Sequence, residues 1–143
     1  MSTEALMKLV GEGKVAIPAN KKHTCLNPEG VGSMLRTKIN VNLGVSRDCK
    51  DYGIEMQKVM SAVEMGAEAI MDLSSHGNTQ PFRQKLTHEC PAMIGTVPVY
   101  DSVIHYQRDL SELTAHDFID VIRLHAEDGV DFVTCLLYTS DAA

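Results

Sequence analysis

The chain has 143 residues, 44% of them hydrophobic, a formal charge of −6 and four cysteines with no C-x-x-C pair. That length fits one domain but only about half of a complete (βα)8 barrel, which needs about 250 residues. With no basic cluster, no secretory core and no apolar stretch of spanning length, the composition argues against nucleic-acid and membrane partners and predicts free thiols in a cytoplasmic setting.

Residues 2–10 carry Leu6, Leu9 and Val10 at roughly helical spacing, and Gly11 and Gly13 stop the pattern. Val15-Ala-Ile-Pro18 predicts an entry strand or extended arm. Residues 20–37, rich in Gly, Pro, Asn and Lys and without periodicity, predict loop. A first strand is expected over residues 38–43. The helix that follows, over residues 51–65, should bury Met56, Val59, Met60 and Val63, and Gly66 should close it. A second strand is expected over 68–73 and a helix over 79–89, with Phe82 and Leu86 one turn apart and Pro81 in the first turn.

A third strand is expected over 92–97, within an extended run that reaches Tyr100. The best-marked helix covers residues 115–128. Thr114 and Asp117 form a capping-box variant, Gly129 is the C-terminal stop, and Phe118, Val121, Ile122 and Ala126 are the expected inner face. Residues 131–134 complete a fourth strand. The order predicts an α/β fold: a partial (βα) barrel of about four parallel strands with crossover helices, preceded by a short N-terminal helix and arm. The expected divisions are an arm and loop over 1–36, the first half of a (βα)8 barrel over 37–134, and a foreign tail over 135–143.

Asn42, Met71 and Tyr100 stand 29 residues apart in turn, about the length of one βα unit. Residues at the C-terminal ends of successive parallel strands converge on one mouth, so this repeat argues for one shared site. Asn40 and Asn42 face one side of their strand, where a buried amide needs a fixed polar partner or a ligand. A methionine in a strand is more often core filler, and Tyr100 can pack on one side while donating a hydrogen bond on the other.

Other signals are weaker. Gly11-Glu-Gly-Lys14 lacks the features of a phosphate loop, and Gly30-Val-Gly32 has no strand before it. None of the six histidines pair at i, i+3 or i, i+4. His88, His116 and His125 read as surface residues of helices. His76 and His105 follow strands and are candidates to line the mouth, against the plainer reading as loop residues.

Five segments together carry a resemblance: Ile17-Pro-Ala-Asn20, Thr37-Lys-Ile-Asn-Val-Asn-Leu-Gly44, Ile70-Met-Asp-Leu-Ser74, Ile94-Gly-Thr-Val-Pro-Val-Tyr100 and Gly129-Val-Asp-Phe-Val-Thr134. In order and spacing they resemble the hydroxymethylpyrimidine phosphate synthase (phosphomethylpyrimidine synthase) family of thiamine biosynthesis. That resemblance implies a radical S-adenosylmethionine enzyme on a βα barrel, which rearranges 5-aminoimidazole ribonucleotide to the pyrimidine phosphate using a 4Fe-4S cluster and zinc. It assigns Asn42, Met71 and Tyr100 to substrate binding and leaves the catalytic residues unknown. It places the cluster and zinc ligands outside this chain, and it allows a homodimer at full length.

The departures shape a further expectation. The family has a substrate-binding histidine where this chain has Leu136, and residues 135–143 fit neither the family nor a following crossover. The expectation is a fragment, inactive alone, whose genuine sequence ends near Thr134 and whose first residues fall inside a longer N-terminal segment. Alternatives are the 5-hydroxybenzimidazole synthase of anaerobic cobamide synthesis, which shares fold and substrate, and a non-catalytic half-barrel module. A downstream C-x-x-C-x-x-x-x-C separates enzyme from module. An isomerase barrel would need an acid–base pair that is not visible here.

Overall fold

The structure is a computed structural model that describes residues 1–134; the tail at 135–143, with Leu136, lies outside the described residues. Helix α1 (Thr3–Gly11) leads into a two-residue strand β1 (Val15–Ala16), which pairs antiparallel with β2 (Val31–Gly32). The second of these lies inside the stretch expected to be loop. Then follow β3 (Asn40–Leu43), α2 (Tyr52–Glu64), β4 (Ala69–Asp72), α3 (Gln80–Glu89), β5 (Met93–Thr96), α4 (Pro98–Tyr106), a 3-10 turn (Leu110–Glu112), α5 (Ala115–Glu127) and β6 (Phe132–Val133). The sheet order is β3-β4-β5-β6, every pair parallel, as a barrel under construction requires.

Local chemistry explains where the elements begin. The Asp51 carboxylate accepts from the Gly53 and Ile54 amides and starts α2. Thr114 and Asp117 exchange hydrogen bonds in a full capping box at the start of α5. After β5, Pro98 occupies the first turn of α4, where its fixed φ suits a helix and its missing N–H costs nothing. The expected extended run to Tyr100 therefore breaks at Val97. Tyr100 belongs to the first turn of a helix that sequence periodicity did not reveal, and the connection from β5 to β6 carries two helices.

The strand pleat divides the sheet into two faces. Val41, Ile70 and Ile94 share a row, as do Leu43, Asp72 and Thr96, and these rows face the helices. Leu43, Ile70 and Ile94 pack with Met56, Val59, Ala62, Phe82, Leu86, Cys90 and Ala92 in the main core. Two expected stripes are corrected by this packing. In α2, Met60 is 40% exposed, while Ala62 and Glu55 are buried beside Met56 and Val59. In α5, Ile122 and Ala126 face outward, and the buried pair one turn apart is Val121 and His125. His125, read as a surface residue, is fully enclosed because Thr96 and Asp101 supply partners for both ring nitrogens.

On the opposite face, Asn40, Ala69 and Met93 form one row, and Asn42, Met71, Gly95 and Phe132 the next. The N-terminal arm roofs part of it: Ala16, Pro18, Val31 and Leu35 line a cleft of about 550 Å³ with Ala69, Met71, Met93 and Phe132. Ala69, Met71 and Met93 are buried, so this inner face is better covered than its apolar sequence suggests. The arm is tied down at Asp131, which accepts from the Asn20 amide, the His23 ring and the Ile94 amide.

Candidate functional site

The C-terminal ends of β3 and β4 are locked to each other. The Val45 amide donates to Ser74 Oγ at 3.1 Å, the Ser75 amide to the Val45 carbonyl at 2.9 Å, and the Leu73 amide to the Leu43 carbonyl at 2.7 Å. Gly44 permits this approach: its φ is +140°, and a Cβ there would stand 2.5 Å from the Ser74 backbone nitrogen. Glu55 of α2, fully buried, accepts from the Gly44 amide at 2.9 Å and from Lys58 at 2.5 Å. The edge that presents Asn42 and Met71 is thus rigid.

Asn42 and Met71 are direct partners in the β3–β4 register, on the inner face. Asn42 is exposed; its Oδ1 accepts from Asn40 Nδ2 at 2.9 Å, and its own amide nitrogen donates to no group among the described residues. The two asparagines partly satisfy each other and leave donors facing outward. Met71 is 9% exposed and lines the cleft, with its sulfur 3.9 Å from Thr134 Oγ1. Its neighbour Gly95 carries no side chain, and that gap is filled by the Phe132 ring and the Met71 methyl.

Tyr100 lies apart from this pair. It is 40% exposed, sits beside Ser75, Val103 and Leu110 in a separate groove of about 250 Å³, and its phenol makes no hydrogen bond among the described residues. It remains on the C-terminal side of the sheet, four residues beyond the last residue of β5. Of the other candidates, His76 is half-buried in the loop after β4. His105 is exposed in the last turn of α4, edge-on to Tyr106 at 4.9 Å, and lines a cleft between helices rather than a strand end.

A buried polar network stands behind these residues, and sequence reasoning missed it. Asp101 of α4 accepts from Thr79 Oγ1 at 2.6 Å, Arg83 at 3.1 Å and His125 Nε2 at 2.9 Å. The other His125 nitrogen meets Thr96 Oγ1 of β5 at 2.8 Å, and Arg83 also pairs with Asp128 at 2.8 Å. Burial opposes ionisation of Asp101, but the His125 and Thr79 hydrogen bonds and the Arg83 charge outweigh it and hold its carboxyl at about 2. Nearby Asp72 is pushed up by burial, against the pull of its hydrogen bonds from Ser74. The available sequence signal was the polar stripe Thr79, Arg83, Thr87 at i, i+4, i+8 beside the apolar Phe82 and Leu86.

Among the described residues no three His, Cys, Asp or Glu side chains converge as ligands. Burial pushes the Cys90 thiol up to about 11 and raises that of Cys25, the reverse of what thiolate ligands need. The described residues therefore do not fit an iron–sulfur cluster or zinc. Among them, no helix is long and apolar enough to cross a membrane.

Comparison with known proteins adds identity to this geometry. The model of the radical SAM ThiC family matches residues 1–138. The chain is 57% identical over 134 residues to a phosphomethylpyrimidine synthase of Alkaliphilus oremlandii, 58% to that of Alkaliphilus metalliredigens and 55% to that of Clostridium botulinum strain Okra. Each alignment covers 94% of this chain and 31% of the relative, so the chain spans about a third of the length of the curated relatives it matches.

Proposed function

The chain belongs to the radical SAM ThiC family, and from that premise we propose that it is the substrate-holding first part of a phosphomethylpyrimidine synthase. In this reading the full-length enzyme converts 5-aminoimidazole ribonucleotide to hydroxymethylpyrimidine phosphate, and Asn42, Met71 and Tyr100 contact the substrate. The observation that carries it is the in-register pairing of Asn42 with Met71 on a rigid inner face, with Asn42 retaining an amide donor for a ligand.

Each residue has a plain task. The Asn42 amide reads a polar edge, the Met71 thioether offers a polarizable apolar contact to a flat ring, and the Tyr100 phenol supplies one hydrogen bond. S-adenosylmethionine, a 4Fe-4S cluster and zinc belong to the full-length enzyme; the radical is the cofactor's contribution, and this segment binds and orients. The same reading puts the enzyme in the cytoplasm and allows a homodimer at full length.

The test is a chimera in which residues 1–134 replace the matched stretch of the Alkaliphilus oremlandii protein. Calorimetry with 5-aminoimidazole ribonucleotide should show binding, and Asn42→Ala should weaken it about two- to tenfold, the cost of one hydrogen bond of about 0.5–1.5 kcal/mol. Unchanged affinity in Asn42→Ala and Tyr100→Phe alike would make these residues structural and sink the assignment.

A further inference from the structure

Helix α4 has weak intrinsic anchors. Its N-cap, Val97, makes no side-chain capping bond, and its C-cap, Gln107, just past the last helical residue, is left-handed, with φ 50° and ψ 40°. Among the described residues, apart from Ser102, whose hydroxyl returns to the Pro98 carbonyl within the helix at 2.8 Å, the side-chain polar hold on its first two turns is Asp101. That carboxylate is gripped from three sides: by Thr79 just before α3, by Arg83 within α3 and by His125 of α5. Through His125 the same grip reaches Thr96, the last residue of β5.

Tyr100 is the residue before Asp101 and has no polar tether of its own among the described residues. The backbone of the first turn of α4 therefore decides where its phenol stands. We propose that Asp101 is a positioning residue for Tyr100: clamped by Thr79, Arg83 and His125, it fixes the first turn of α4 and with it the location of the phenol at the ligand side of the sheet. The inference rests on the reading that Tyr100 touches the substrate, and it assigns no chemical step to Asp101.

A general structural role and a positioning role differ in one measurable respect. If Asp101 acts through the phenol, removing the phenol first removes most of what Asp101 contributes to ligand affinity, whereas independent effects add. The experiment is a double-mutant cycle on the full-length chimera described above, with Asp101→Asn and Tyr100→Phe singly and together, read as the calorimetric Kd for 5-aminoimidazole ribonucleotide. Thr79→Val, which removes one donor to Asp101, serves as the milder second variant.

Tyr100→Phe should weaken binding about two- to tenfold, the range for one hydrogen bond. Asp101→Asn and Thr79→Val should weaken it as well, and most of that loss should disappear in the Tyr100→Phe background. Additive losses, or full affinity in both Asp101→Asn and Thr79→Val while Tyr100→Phe is impaired, would overturn the positioning role and leave the site reading standing. Full affinity in Tyr100→Phe would overturn the positioning role together with the assignment of Tyr100 to the substrate on which it rests.

Discussion

The contact between the arm and the sheet makes a sharp prediction about pH. The His23 and Asp131 side chains are both 0% exposed, with Nδ1 2.7 Å from Asp131 Oδ2 and Nε2 2.7 Å from the Cys90 carbonyl. Both facing groups are acceptors, so the ring satisfies them together only as the doubly protonated imidazolium. The Cys25 thiol, also on the Cys90 carbonyl at 3.3 Å, is the other titratable group beside it. Burial works against that charge, but the Asp131 hydrogen bond, the Cys90 carbonyl and the Asp131 charge outweigh it and raise the His23 pKa above 6.5.

A raised folded-state pKa means that the stabilisation is complete below about pH 6.5 and is lost as pH climbs through the folded value. Asp131→Ala should cost about 3–5 kcal/mol, because it strands a buried cation together with the Ile94 amide. His23→Ala should cost less, about 1–3 kcal/mol, since Asp131 keeps its two backbone donors. Urea unfolding followed by far-UV circular dichroism suits a chain without tryptophan. The gap between the parent and His23→Gln should shrink from pH 6 to pH 9. A gap constant over that range, or equal costs for Asp131→Ala and His23→Ala, would refute the reasoning.

Two further outcomes follow from packing and burial. A Cβ at Gly95 would overlap the Phe132 ring and crowd the Met71 methyl, so Gly95→Ala should destabilise by about 1–3 kcal/mol. Denaturation midpoints should show that penalty largely relieved in a Phe132→Ala background; an equal penalty in both backgrounds would mean the ring is not the obstacle. Cys90, fully buried and with its thiol near 11, should resist iodoacetamide at pH 8 while exposed Cys49 reacts. Mass mapping that finds the two labelled at similar rates would contradict the burial.

The four parallel strands were legible because each is a short apolar run between turn signals, and their alternation with helices gave the parallel order; β2, only two residues long, was read as loop. The 29-residue repeat set Asn42, Met71 and Tyr100 at successive strand ends; Asn42 and Met71 are register partners, whereas the partner of Met71 on β5 is Gly95 and Tyr100 stands in α4. Helix α4 was not legible: Val97-Pro-Val-Tyr100 is β-branched and aromatic, so local preference pointed to a strand, and the proline's suitability for a helix start decided otherwise. Met60 was misplaced because adjacent positions on a helix differ by about 100° of rotation, and Ala62 offered an equally good inward edge that hydrophobicity alone ranks lower. The burial of His125 and Arg83 was missed for a different reason. Their charged partners lie far along the chain, 24 residues from His125 at Asp101 and 45 from Arg83 at Asp128, so burial of these polar groups becomes favourable only once the fold has assembled.

The same strand ends serve both the inner face, with the candidate site, and the charged network, and the pleat keeps the two apart. Met71 faces the cleft and Asp72, the next residue, faces the helices; Gly95 makes room on the inner face and Thr96 anchors His125 on the other. A slip of one residue in β4 would turn Asp72 into the cleft, push the Met71 thioether toward Thr79 and Arg83, and part Ser74 Oγ from the Val45 amide that donates to it. A slip in β5 would strand His125 in the same way. Hydrophobic matching alone discriminates poorly here, because Ala69, Ile70 and Met71 are all apolar and all buried. The buried polar groups impose the stricter condition, since an unpartnered one costs about 1–3 kcal/mol and a mismatched ion pair more. At the ends of β3 and β4 the Val45–Ser74 and Gly44–Glu55 hydrogen bonds favour the register that sets Asn42 beside Met71, so the geometry of the candidate site is held by residues that never face it.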